Sequence, residues 1–489
     1  MASKSRYAFP LHPRDYASTP TPNLEEWQQL WQAWDLVTTE MIPRHSLMEQ
    51  PIPLRNPLLF YLGHIPTFED IHISRALRGK HTEPSVYVEY FERGIDPDVD
   101  DPEVCHQHSQ LPKSWPTVDE ILDFRRRVCR RIATLYDDEN VWADRTLGRA
   151  LWIGFEHEAL HLETFLYMTL LSPNIKPPPV PMPDFHALAE KSKGERKPNQ
   201  WFRIPKTKVT HGWSNSETDE DPSRFFVWDN ERPPYQVDVG AFEAQARPIS
   251  NGEYARYLVE TGKTVPVTWT SHATPGLPDL RNGAVQHDTA QNGISAAGDR
   301  YISANQITCV QPAACQPATA QANSIKPSLE SFLDNTCVRT VFGQIPLRSA
   351  EDWPLVASFN ECKAYADWAG GRIPSYDEIR SIYHQVELQK PFLRKRSNGA
   401  DHMEPLHPDP EEMFVDLSGC NVGLQNFHPV SVTQNGDRLA GLGDMGGAWE
   451  WTSTLLLPFE GFKAMDIYPG YTGTGSPSFL VTIAVFGSI

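Results

Sequence analysis

A chain of 489 residues with 44 Lys and Arg against 62 Asp and Glu carries a formal net charge of -18, which argues against nucleic acid or an anionic membrane as a partner. Its 40% hydrophobic and 11% aromatic content is ordinary for a globular protein with room for two or three cores. No apolar run approaches the length of a membrane span, residues 1–15 lack the apolar core of a signal peptide, and seven scattered cysteines form no CxxC pair, so a cytoplasmic protein with reduced thiols is expected.

Residues 1–172 read as a helical bundle. Asn23 is placed to cap a first helix whose Trp27, Leu30, Trp31, Trp34, Val37 and Met41 recur at helical spacing. A second helical stretch runs from Pro57 to Leu77 and carries His64. Thr117 or Asp119 opens a third, with Ile121, Leu122, Val128, Ile132 and Leu135 facing inward and Arg125, Arg126 and Arg127 expected in solvent. The fourth, from Arg145 to Leu171, holds His157 and His161.

His157 and His161 stand four positions apart, so helical pitch sets both imidazoles on one face, one turn apart, at a spacing that suits a single metal ion. Glu163 lies about 200° further round the helix than His161, so it points away, either to orient a ligand ring or to form a surface pair. The third ligand must come from another segment, and His64 in Tyr61-Leu62-Gly63-His64-Ile65 is the best donor. Three neutral imidazoles on packed helices suit Fe(II), Zn(II) or Cu(II) and leave coordination positions open. Taken alone, the helical pair is also compatible with two hydrogen-bonded core histidines. Cys105-His106-Gln107-His108 has metal-binding residue types but sits in a Pro/Asp-rich stretch, where a solvated loop is the expectation.

Prolines 173 and 177–179 and the charged run Glu190 to Lys197 predict a linker over residues 173–200. Residues 201–489 then read as an α+β domain: short alternating segments such as 225–228 and 235–239, with helices near 250–259 and 359–369. Residues 275–330, rich in Ala, Gln, Asn, Ser and Thr, are expected to be a disordered insertion.

Three motifs go together in this half: Ala369-Gly370-Gly371-Arg372-Ile373-Pro374-Ser375, Asn421-Val422-Gly423, and Gly443-Asp444-Met445-Gly446-Gly447-Ala448-Trp449-Glu450-Trp451-Thr452. In this order they resemble the formylglycine-generating-enzyme-like domain, a variant of the C-type lectin fold. A DinB-like four-helix bundle with His64, His157, His161 and Glu163 ahead of such a domain resembles the ergothioneine-biosynthesis sulfoxide synthase family. The fungal form is the nearest match, through Phe91-Glu92-Arg93-Gly94-Ile95-Asp96-Pro97-Asp98. The implied fold class is multidomain, α followed by α+β.

The resemblance implies a non-haem Fe(II) oxidoreductase that uses O2 to join hercynine to the thiol of cysteine or γ-glutamylcysteine. Of the two tyrosines in Asp466-Ile467-Tyr468-Pro469-Gly470-Tyr471, it makes Tyr468 the catalytic acid and Tyr471 a substrate-pocket residue. Arg93 can pair a substrate carboxylate through its planar fork or form a surface salt bridge.

Two other readings stay open: an ovothiol-type synthase acting on histidine, and a shortened relative that keeps only a metal site or scaffold. Formylglycine generation itself is not expected, because the resemblance puts the paired copper-binding cysteines of that enzyme in the C-terminal region that this chain lacks. The chain departs from the family at Leu160, where bacterial members carry Gln, and shows no S-adenosylmethionine-binding glycine motif ahead of the bundle. After Tyr471 it lacks the family's Gly-Gly-Ser-Trp segment, although Phe479 to Phe486 is apolar and β-prone. That departure predicts a less stable second domain, a pocket open on one side and weak synthase activity, with metal binding preserved.

Overall fold

The computed structural model describes residues 19–52, 55–92, 95–97, 105–107, 112, 114–138, 140–214, 226–271, 327–389, 420–441, 445–455, 457, 459–468 and 483–484. Arg93 and Tyr471 lie outside these residues, as do His108 and residues 275–326 of the expected insertion.

Helix α1, Leu24–Asp35, begins at a capping box in which the Asn23 and Glu26 side chains each accept the other's backbone N–H, at 2.8 and 2.7 Å. Its apolar stripe continues into a wider π-helical turn, Leu36–Met41. Helix α2, Leu58–Ala76, is buried from Leu58 to Ser74, including His64, Glu69, Asp70 and His72; a helix enclosed on all sides is the centre of its bundle. After the short α3, Tyr87–Phe91, strands β1 (Ile95–Pro97) and β2 (Cys105–Gln107) pair antiparallel. Residues 105–107, expected as loop, are therefore strand. Helix α4, Val118–Leu135, opens at a Thr117–Glu120 capping box, and α5, Arg145–Thr169, is capped by Asp144. These helices share one core, with Trp27, Trp34, Leu62, Phe91, Phe124 and Phe165 among its large side chains.

The bundle corrects one expectation. Arg125 is buried at 4% exposure, and its guanidinium meets Glu158 of α5 at 2.5 Å. Helical periodicity already sets Arg125 on the face of Ile121, Val128 and Ile132, with Arg126 and Arg127 rotated about 100° and 200° further round, but its charge argues for solvent. The approach of α5 with a fully buried carboxylate lets the guanidinium stay on that face, because a buried charge needs a partner.

Within the expected linker, Phe185–Glu195 forms helix α6, where Asp184 accepts from the Ala187 N–H at 2.9 Å. The cap starts the helix, and Phe185 packs into the second core beside Trp353, so this part of the segment belongs to a folded unit. Strands β3 (Trp201–Ile204), β4 (Thr207–His211), β5 (Tyr235–Val239) and β6 (Phe242–Gln245) pair antiparallel, β3 with β6 and β4 with β5. Residues 226–228, expected as strand, instead lead into a 3-10 turn, Asp229–Glu231.

Helix α7, Asn251–Thr261, strand β7 (Trp269–Ser271) and helix α8 (Leu329–Asp334) follow. Strands β8 (Thr336–Thr340) and β9 (Gly343–Pro346) complete a three-stranded antiparallel sheet in the order β7-β8-β9. Residues 329 and 330, placed by sequence in the insertion, thus begin α8. Helices α9 (Phe359–Trp368) and α10 (Tyr376–Gln389) precede strand β10, Glu450–Trp451, which pairs antiparallel with β11, Ile483–Ala484. Before β10 the chain turns through Gly446 and Gly447 at φ of 71° and 83°. A Cβ on Gly447 would stand 2.5 Å from the Asn421 amide nitrogen, which is the packing reason those two motifs occur together.

Bundle and second unit meet over a small apolar seam. Phe68 and Ile153 from the bundle are buried against Met465, with Phe226, Trp228, Ile467 and Tyr468 around them. The Trp228 indole N–H donates to Glu156 of α5 across the same seam. Among the described residues, no helix is long and apolar enough to cross a membrane.

Candidate metal centre

Helices α2 and α5 bring His64, His157 and His161 together. Each offers one ring nitrogen, and the three nitrogens lie within 4.8 Å of one another. Ring centroids are 5.0 Å apart for His64 and His157, 5.1 Å for His64 and His161, and 4.5 Å for the helical pair. Ion-to-imidazole bonds of about 2.1 Å can close on one ion from this starting span.

Local packing aims the rings. His64 Nδ1 is 2.6 Å from the Phe91 carbonyl oxygen; a carbonyl only accepts, so Nδ1 carries the proton and Nε2 is left bare for an ion. Phe91 reaches this position because residue 63 is glycine, since a Cβ there would stand 2.6 Å from the Phe91 ring. The Thr164 hydroxyl donates to the His161 carbonyl at 2.8 Å and stands 3.3 Å from His161 Nδ1, leaving the other ring nitrogen of His161 for the cluster. His157 stacks face to face on Phe68 at 3.7 Å, and its Nδ1 is buried with no hydrogen-bond partner.

The electrostatics favour ligation. Burial pushes His64 down to about 4. His157 is held well below the ordinary imidazole range by burial and then by the neighbouring His161, His64 and His72, and His161 by burial and then by His64 and Arg55. All three are therefore neutral near pH 7, which is the metal-binding form. Beneath the cluster, burial and the neighbouring Glu158 push the Glu69 carboxyl well above its usual range, while Arg125 supplies the compensating charge.

The other expected site residues fall as follows. Tyr468 is half-buried on the seam, 5.1 Å from Phe68 and 5.2 Å from His72, ring to ring. One phenyl ring, Phe68, thus separates it from His157. Glu163 is half-buried and pushed up to about 8 by burial; among the described residues it pairs with no imidazole and no cation. Leu160, where bacterial members of the family carry Gln, is exposed.

Sequence reasoning missed His72 and the Glu69–Glu158–Arg125 group. His64, Phe68 and His72 recur every four residues along α2, a spacing that could have flagged His72 as a member of the same helix face.

A helical bundle that converges three imidazoles, docked onto an α+β unit through an aromatic seam, defines a class of two-unit protein with a candidate metal-binding centre in its bundle. The chain belongs to the family of the Sulfatase-modifying factor enzyme 1-like domain, which residues 189–482 match, and residues 24–165 match the DinB superfamily.

Relatives carry the same pairing further. The chain is 41% identical to Ergothioneine biosynthesis protein 1 of Neurospora crassa over 96% of its own length and 55% of that protein. It is 27% identical to the Schizosaccharomyces pombe protein of the same name, over 93% of this chain and 50% of that one. It is 25% identical to Hercynine oxygenase of Mycobacterium tuberculosis, over 50% of this chain and 44% of that protein. The chain thus spans about half the length of the curated relatives it matches. The resemblance to the ergothioneine-biosynthesis family, and the fold class it implied, are borne out.

Proposed function

We propose that this chain is an O2-dependent sulfoxide synthase that joins hercynine to the thiol of cysteine or γ-glutamylcysteine in the cytoplasm, with Fe(II) held by His64, His157 and His161. The observation that carries this reading is the convergence of three neutral imidazoles beside the Tyr468 seam, in a chain similar over nearly its whole length to an ergothioneine biosynthesis protein.

The reaction balances as hercynine C–H plus thiol S–H plus O2 giving a C–S(=O) bond and one water. The carbon–sulfur junction releases two electrons and the sulfur oxidation two more, and O2 accepts all four. Bound Fe(II) supplies the one-electron chemistry that O2 requires, and a ligand set of three imidazoles leaves positions for substrates.

The protein's own groups do the rest. His64 is locked in one tautomer by Phe91, and His161 is steadied by Thr164. The Phe68, Ile153 and Met465 contact excludes water from the side facing the second unit. Tyr468 is the proton donor: a neutral phenol can deliver a proton to the reacting oxygen without bringing charge into an apolar seam. Arg93 and Tyr471 are proposed as substrate contacts.

The test is a product assay under air with hercynine, histidine, cysteine and γ-glutamylcysteine. Tyr468→Phe should retain iron and substrate binding yet lose sulfoxide, with thiol oxidation taking its place. Full sulfoxide yield from that variant would remove Tyr468 from the chemistry. Turnover of histidine in preference to hercynine would favour the ovothiol-type reading.

A further inference from the structure

Two of the three clustered imidazoles are held through Nδ1. That of His64 meets the Phe91 carbonyl oxygen at 2.6 Å, and that of His161 stands 3.3 Å from the Thr164 hydroxyl. His157 has no counterpart, because its Nδ1 is buried with no hydrogen-bond partner. What meets its ring is a flat apolar face. Phe68 lies 3.7 Å away, centroid to centroid, with 16° between the planes, whereas His64 and His161 approach the same ring edge-on, at 70° and 68°. Packed this closely, the imidazole cannot turn about its Cβ–Cγ bond without driving an edge into the phenyl face.

Phe68 is itself held in place. It stands one helical turn after His64 on the same face of α2, and the second unit closes around it. Met465 is completely buried in one cluster with Phe68 and Ile153, and the Tyr468 ring stands edge-on to Phe68 at 5.1 Å. Met465 is anchored in turn: its N–H donates to Asp229 Oδ2 at 3.1 Å, and Asp229 is also completely buried.

We infer that Phe68 is a positioning residue for His157: its face does for that ring what Phe91 and Thr164 do for the other two, and Met465 and Tyr468 of the second unit keep it there. A centre built wholly from bundle histidines is thus completed by the docking of the second unit. The inference rests on the reading of the three histidines as a metal centre for its consequence, but not for its geometry. A leucine at position 68 would satisfy an apolar seam. Only a planar ring can lie parallel to an imidazole.

The test reads the ring directly. The full chain is prepared without metal and with 13C-labelled histidine, and the His157 ring signals are assigned by their loss in His157→Ala. A phenyl face shields whatever lies over it, so in the parent these signals should be displaced upfield of the ordinary imidazole range. Phe68→Leu should abolish that displacement and move the His161 signals far less. Co(II) takes the same nitrogen ligands as Fe(II) and reports them in its visible spectrum. Its affinity should fall by about 10–100-fold in Phe68→Leu, the loss typical when a group that orients a ligand ring is removed. Met465→Ala leaves every bundle residue unchanged and should give both effects at smaller size, and it decides the matter should Phe68→Leu fail to fold.

His157 signals at their parental positions in Phe68→Leu, or Co(II) affinity equal to the parent's, would overturn the inference. Equal displacement of the His157 and His161 signals would do the same, since Phe68 would then only fill space in the core. Parental shifts and affinity in Met465→Ala would overturn the part given to the second unit. Failure of the parent to bind Co(II) would count against the metal centre, with the ring displacement still read in the metal-free chain, and absence of sulfoxide product would bear on the proposed reaction alone.

Discussion

His64 donates its Nδ1 proton to the Phe91 carbonyl oxygen at 2.6 Å, and Phe91 stands there only because the residue before His64 has no side chain. The orientation of the His64 ring on α2 is thereby set by the short helix α3, twenty-odd residues further along the chain. The motif Tyr61-Leu62-Gly63-His64 and the motif starting at Phe91 are two halves of one contact.

Gly63→Ala should therefore destabilise the bundle and weaken metal binding together. A Cβ 2.6 Å from the Phe91 ring cannot be accommodated without moving α3, and overpacking of this kind costs about 1–3 kcal/mol. Chemical denaturation of the metal-free chain measures the first effect, and metal titration the second. Unchanged values of both would mean that Phe91 is free to move and does not set the His64 tautomer.

Arg125→Met should be among the most destabilising single changes in the bundle, at about 3–5 kcal/mol, because it leaves the fully buried Glu158 without its cation. Adding Glu158→Leu to Arg125→Met should recover much of the loss. Urea unfolding of the two single variants and the double variant measures the coupling, and strictly additive losses would contradict the pairing.

That ion pair shows where sequence reading runs out. The helical pair His157 and His161, the His64 donor and the caps at Asn23 and Thr117 are local signals, legible from spacing and side-chain chemistry. Arg125 falls on the inward face by helical spacing, yet its charge argues for solvent until α5 places Glu158 beside it. Helix α6 was hidden by the charged run of which it is made; its anchor is Phe185, whose partner Trp353 is far away in sequence. His157 and His161 are legible because they repeat along one helix, whereas the groups around them depend on which segments the fold brings together.

The second unit should show a pH dependence of its own. Burial pushes Glu450 up to about 7, although the Tyr383 hydroxyl donates to it at 2.5 Å. Between the ordinary carboxylate value and about 7, the folded state holds a proton that the unfolded state has lost. The stability contributed by the neutral carboxyl is therefore complete at low pH and declines as pH rises through that window. Glu450→Gln keeps an acceptor for Tyr383 and cannot ionise. Its stability relative to the parent should grow from pH 5 to pH 8, as followed by thermal unfolding of the two chains, and a constant difference would place Glu450 in a solvated environment.

The central claim is that His64, His157 and His161 together hold one iron. Anaerobic reconstitution with Fe(II), followed by metal analysis after desalting, tests it most directly. The chain should retain about one equivalent, and His157→Ala should retain almost none while its helical circular dichroism stays that of the parent. Iron content in His157→Ala equal to that of the parent would contradict the account.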